Sequence, residues 1–183
     1  MIATELADEY DAVMADVIAV AGGCSRADWT TTCTNEQRSV GVVFDHIAEL
    51  NPEVVRWVQE FLNGRPVDLT LETVTQRNAE HARRAAARPR GETVADLKAG
   101  SARTSEFIRS LTDEQLELTQ DFAWAGTQNV GWVAGAAVRH PKGHLKSIKE
   151  ALAVRSGRVS GHGFSRQEAR ISSTAACANR TAS

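Results

Sequence analysis

Two histidines, His140 and His144, stand four residues apart in "GAAVRHPKGHLKSIKEAL". On an α-helix, positions i and i+4 project from the same face about one turn apart. Two imidazoles so placed can share one divalent cation. A third, His46, lies in "VVFDHIAEL" far upstream. The chemistry these residues could do together is metal binding through neutral nitrogen donors. Three such donors leave coordination positions open for water or substrate, as catalytic metals require. A lone histidine is more often a satisfied core or boundary residue. Here all three fall on inward stripes. His144, His140, Ala137 and Val133 share one with Ile148 and Leu152, while Val43, His46, Leu50 and Trp57 form another. Arg139, Lys142, Lys146 and Lys149 take the opposite, outer face. HxxxH is a weak motif by itself and lacks the glutamate of HExxH. Pro141, between the two histidines, removes a backbone hydrogen bond and predicts a kink, which could aim the rings or spoil them. His81 falls on a weakly amphipathic segment and is expected at the surface; His162 receives no role.

The elements that must carry these residues are helical nearly throughout. Leu6, Tyr10, Val13, Val17 and Ile18 trace a first helix that stops at Gly22-Gly23. After the loop "CSRADWTTTCTNEQ", a longer helix buries Val40, Val43, Phe44, Ile47, Leu50, Val54, Val58 and Phe61, and ends at Asn63-Gly64 before Pro66. "TLETVTQRNAEHARRAAA" is a helix with a weak apolar face, broken at Pro89-Arg90-Gly91. The next opens at Glu92 or Thr93 with Val94, Leu97, Ile108 and Leu111 on one side, and "LTDEQL" reads as a short capped turn. A last helix is predicted from about Asn129 to Leu152. No segment shows the sustained alternation of a strand. The expectation is an all-α four-helix bundle with one long crossover connection, spanning residues 1–154. Residues 155–183, rich in Ser, Ala, Arg and Gly, predict a flexible, disordered basic tail whose removal leaves the thermal midpoint unchanged.

Composition narrows the function classes. The 183 residues are 42% hydrophobic and 24% charged, ordinary for a globular domain with a proper core. A net charge of −2 argues against nucleic acid as a partner, which would call for a basic face. The N-terminal stretch carries acids where a signal peptide needs positive charge, and no run is long enough for a membrane span. Cys24, Cys33 and Cys177 form neither a disulfide framework nor a zinc-type CxxC. These features predict a cytoplasmic protein with reduced thiols.

Three stretches, "SVGVVFDHIAELNPEVVRWVQEFLNG", "NAEHARRAAARPRGETVADLKAGSARTSEFIRSLTDEQL" and "VGWVAGAAVRHPKGHLKSIKEAL", together resemble the DinB/YfiT-like superfamily in order and spacing, over roughly Glu5 to Leu152. The preceding "ADWTTTC" resembles the loop before the first histidine in its mycothiol-dependent maleylpyruvate isomerase branch. The resemblance implies a bundle with a long crossover, often a homodimer, and a divalent metal (zinc, nickel or iron) held by His46, His140 and His144. It also implies a low-molecular-weight thiol such as mycothiol or bacillithiol, used on a small-molecule substrate in transferase or isomerase chemistry. Arg38 departs from the isomerase branch, which usually has tryptophan at that position, and Pro141 departs from a regular helix. In such a site Asn78 is a candidate for hydrogen bonding to substrate. Glu49, one turn past His46, is a candidate to orient a ligand, or else a surface residue. Two alternatives stay open on the same histidines: metal-dependent hydrolysis, and a non-catalytic, stress-associated bundle stapled by the ion.

Overall fold

The computed structural model describes residues 2–67, 69–122 and 125–157. In chain order the elements are α1 (Ala3–Gly23), α2 (Arg26–Trp29), β1 (Thr32–Cys33), β2 (Arg38–Ser39), α3 (Val40–Leu62), α4 (Leu71–Ala85), α5 (Arg90–Arg109), α6 (Asp113–Glu117), β3 (Thr119–Asp121), β4 (Thr127–Asn129), α7 (Val130–Ala134) and α8 (Ala136–Arg155). Four long helices make the bundle. α1 packs on α5 and α8, and α3 packs on the same two, so α1 and α3 lie on opposite corners. The fold is therefore the expected all-α bundle, and the crossover from α3 to α5 contains α4, which packs on the outside of α3. No helix among the described residues is long and apolar enough to cross a membrane. Of the segment expected to be a tail, residues 158–183 lie outside the described residues.

The core forms because each helix carries apolar residues on one stripe. Leu6, Tyr10, Met14 and Val17 of α1 meet Phe44 and Ile47 of α3, Leu97 and Ile108 of α5 and Ile148 of α8, all essentially excluded from solvent. α5 is the exception. Its buried face is mostly small and polar, with Thr93, Gly100, Thr104 and Ser105 among its buried residues. That face docks on α3 by a hydrogen bond from the Thr104 hydroxyl to the Asn51 carbonyl at 3.3 Å, and Tyr10 of α1 donates to Asn51 Oδ1 at 2.7 Å.

Helix ends follow local chemistry. Ser39 caps α3 by accepting from the Val42 N–H, and Gly64, at a φ of 64°, turns the chain out of its end. Thr112 and Gln115 form the capping box predicted in "LTDEQL". α5 starts at Arg90, just after Pro89 and two or three residues earlier than expected. The last helix is not continuous from Asn129. Asn129 instead caps the short α7 by accepting from the Trp132 N–H at 2.7 Å, and the chain turns at Gly135 before α8 begins. α8 then runs through Pro141 without ending.

The expectation of no strands needs one refinement. Two short antiparallel ladders are present, β1 with β2 and β3 with β4. The first matters for the site. It presses the loop after α1 against α3, where Trp29 stacks on Phe44 with ring centroids 5.4 Å apart. Position 41 must be glycine for this, because a Cβ there would overlap the Trp29 ring.

Candidate metal centre

α3 and α8 run side by side, and their first halves bring the three histidines together. His140 Nε2 lies 3.1 Å from His46 Nε2 and 3.0 Å from His144 Nε2. The three offer ligand atoms all within 4.8 Å of one another. Ligands held about 2.0–2.1 Å from one ion are separated by roughly 3 Å or slightly more, so these spacings suit a shared divalent cation.

The proton positions favour it as well. His144 Nδ1 lies 2.6 Å from Glu36 Oε1, so a carboxylate holds the ring proton on Nδ1 and leaves the Nε2 lone pair facing the other two rings. Burial depresses the pKa of His46 well below the usual imidazole range, and repulsion from His144, Arg38 and His81 adds to it. Burial likewise holds His140 far down, with His144, His46 and Arg38 contributing. Both rings are thus neutral donors. Their Nδ1 atoms are buried without a hydrogen-bond partner, so all the convergent chemistry is at Nε2. The donor set fits a divalent ion.

Glu36 was not among the residues singled out from sequence. It sits in the turn between β1 and β2, where the Glu36 and Gln37 N–H groups donate to the Cys33 carbonyl and Gln37 takes a φ of 54°. Burial works to raise the Glu36 carboxyl, but the hydrogen bond and charge of His144, with Arg38, hold it below the usual carboxylate range. Cys33, next to this turn, is buried, and burial together with Glu36 pushes its thiol up to about 12. Neither Cys33 nor Cys24 joins a ligand group among the described residues.

The expectation for His81 is corrected. It is only 2% exposed, not a surface residue. The weak apolar face of α4 hid this, because His81 is buried among polar partners. Its Nε2 meets Asp45 Oδ2 at 3.0 Å, with Glu49 Oε2 at 3.6 Å. Asp45 in turn accepts from Arg88 Nη1 and from the Thr93 hydroxyl, both at 2.7 Å. Burial would raise the Asp45 carboxyl, yet the His81, Thr93 and Arg88 hydrogen bonds hold it below its ordinary value. The His81 and His46 rings are neighbours, with centroids 5.3 Å apart.

Of the two further candidates, Glu49 is largely exposed and pairs with Arg84 at 2.8 Å; with His46 and His81 it makes a second, looser group. Asn78 lies half-buried on α4, and no hydrogen bond joins it to the three histidines among the described residues. His162 and Cys177 lie outside the described residues.

A four-helix bundle carrying three inward histidines on two adjacent helices can hold a metal ion in its core. The family model of the DinB superfamily matches residues 9–148, and the chain belongs to that superfamily. No curated protein and no solved structure matches this chain.

Proposed function

We propose that His46, His140 and His144 hold a divalent metal ion, zinc, nickel or iron, and that the protein is an enzyme using a low-molecular-weight thiol on a small electrophilic substrate. The single observation that carries this reading is that His140 Nε2 lies 3.1 Å from His46 Nε2 and 3.0 Å from His144 Nε2, with the His144 ring held by a carboxylate. An ion bound there acts as a Lewis acid and lowers the pKa of a thiol or water presented to it.

The protein's own residues supply the rest. His46 and His140 stay unprotonated because they are buried, so they remain donors under mildly acidic conditions. Glu36 fixes the His144 tautomer, and the three histidines lie half-buried between α3 and α8. Three neutral ligands leave the ion's charge undiminished, which favours acidifying a thiol over merely stapling helices. Mycothiol or bacillithiol would serve as the thiol in a transfer or isomerisation.

The reading is tested by loading the protein with zinc, nickel or iron and following consumption of a thiol with a generic electrophile such as a dinitrophenyl halide. Thiol loss that requires both ion and protein, and that disappears in His144→Ala, supports it. Metal uptake with no thiol turnover by any of these ions would leave the non-catalytic reading in its place.

A further inference from the structure

One charged group at the site has no hydrogen-bond or ion-pair partner among the described residues. Arg38 pairs with Cys33 through the backbone of the β1–β2 ladder, two residues past Glu36 and one before the Ser39 cap of α3. Its side chain is half-buried, and Nη1 is fully buried without any hydrogen-bond partner. No carboxylate forms an ion pair with it among the described residues. The acid closest in sequence, Glu36, is already engaged by His144.

A buried guanidinium N–H is costly to leave unmet, and guanidinium is shaped for oxygen anions. The charge of Arg38 is felt at His46, His140 and Glu36, so it belongs to the same electrostatic neighbourhood as the three rings. With a divalent ion on those rings, that neighbourhood holds three positive charges, against Glu36, which is engaged by His144, and Asp45, which is engaged by His81, Thr93 and Arg88. An anionic ligand would offset the excess.

We propose that Arg38 is the anion anchor of this site, selecting ligands that place a carboxylate on its guanidinium while another donor reaches the three-histidine centre. The inference rests on the metal reading above and narrows it: the natural ligand carries a carboxylate beside its thiol or electrophilic carbon. Arg38 is then a specificity residue, because it contacts the part of the ligand that does not react.

The test compares two thiols of nearly equal shape, 3-mercaptopropionate and 3-mercaptopropanamide, which differ in charge. Binding to cobalt-loaded protein is followed by the sulfur-to-cobalt absorption band. Wild type should bind the acid more tightly than the amide by on the order of tenfold, as a charge-assisted bidentate contact implies. Arg38→Gln should abolish that preference while keeping its cobalt, and Arg38→Lys should keep part of it, since the charge remains but the fork is lost. Equal binding of the two thiols by wild type overturns the proposal without any variant, as does an undiminished preference in Arg38→Gln. If cobalt does not bind, the metal reading fails. The same two thiols are then titrated calorimetrically into the metal-free protein, where an acid preference that depends on Arg38 upholds the anchor and its absence overturns it.

Discussion

Asp45 and His46 are neighbours on α3, yet they open onto two different histidine sites. On one side His46 meets His140 and His144, and the rings present three nitrogens to one another with a carboxylate only at the outer edge of one. On the other side His81 meets Asp45, which is itself satisfied by Arg88 and Thr93. The first is half-buried and the second buried, and both contain histidine. In the second the anion has three donors and balances a neighbouring cation, although His81 Nδ1 is, like the Nδ1 atoms of His46 and His140, buried without a partner among the described residues. The first has donors of electron pairs but no acceptor for them. Residue type therefore does not separate a ligand from a structural histidine. What separates them is whether the protein already supplies the opposite charge.

Breaking the cluster around Asp45 should have the largest effect on the fold. Asp45→Ala leaves Arg88, His81 and Thr93 facing an empty acceptor, and unfolding should become easier by about 3 kcal/mol, the range for removing one partner of a buried pair. Chemical denaturation of the metal-free protein measures it. A loss under about 1 kcal/mol would mean that solvent reaches Arg88 well enough to replace the carboxylate.

The same carboxyl sets a pH dependence. Its folded pKa lies below the unfolded value, so its stabilisation is fully present above the unfolded carboxylate range, about 3.9, and fades as pH falls through the folded value. Acid titration of wild type should show this limb, and Asp45→Asn should flatten it. An unchanged acid limb would assign acid sensitivity to other groups.

Glu36→Gln sharpens the contrast from the other side. It removes the carboxylate that holds the His144 tautomer, and metal affinity should fall by about 10- to 100-fold, as for other carboxylates that orient a histidine ligand. Stability without metal should change little, because the isosteric amide keeps a hydrogen-bond partner for His144 Nδ1. A competition assay with a chelator of known affinity reads the first quantity and thermal melting the second.

Gly41→Ala acts on the metal least directly. The added methyl meets Trp29, and the strain should cost about 1–3 kcal/mol as overpacking does. Because Trp29 anchors the segment that carries Glu36, metal affinity should fall with it. A stability loss with full metal affinity would show that the β1–β2 hairpin holds its place without the tryptophan.

The two clusters also differ in how far sequence reveals them. His46, His140 and His144 are visible because helical spacing links each to apolar neighbours on its own helix, and α3 and α8 are long enough for that period to register. The bundle itself is legible for the same reason. Glu36 is not, since a ladder of two residues per strand has no period, and the turn that aims it depends on Gln37 taking an unusual φ. His81 misleads a pattern-based reading because its surroundings are polar, supplied by Asp45, Arg88 and Thr93 from three separate elements. The break at Gly135 was foreshadowed by a capping asparagine at 129, but the apolar stripe runs through it and masks the turn.

The central claim concerns where an ion binds, and metal content measures it most directly. Wild-type protein saturated with zinc and then desalted should retain about one ion per chain. His46→Ala, His140→Ala and His144→Ala should each retain almost none, with helix content by circular dichroism unchanged, while His81→Gln should keep its full complement. Retention of a full equivalent by His46→Ala, or loss of the ion from a folded His81→Gln, would contradict the account.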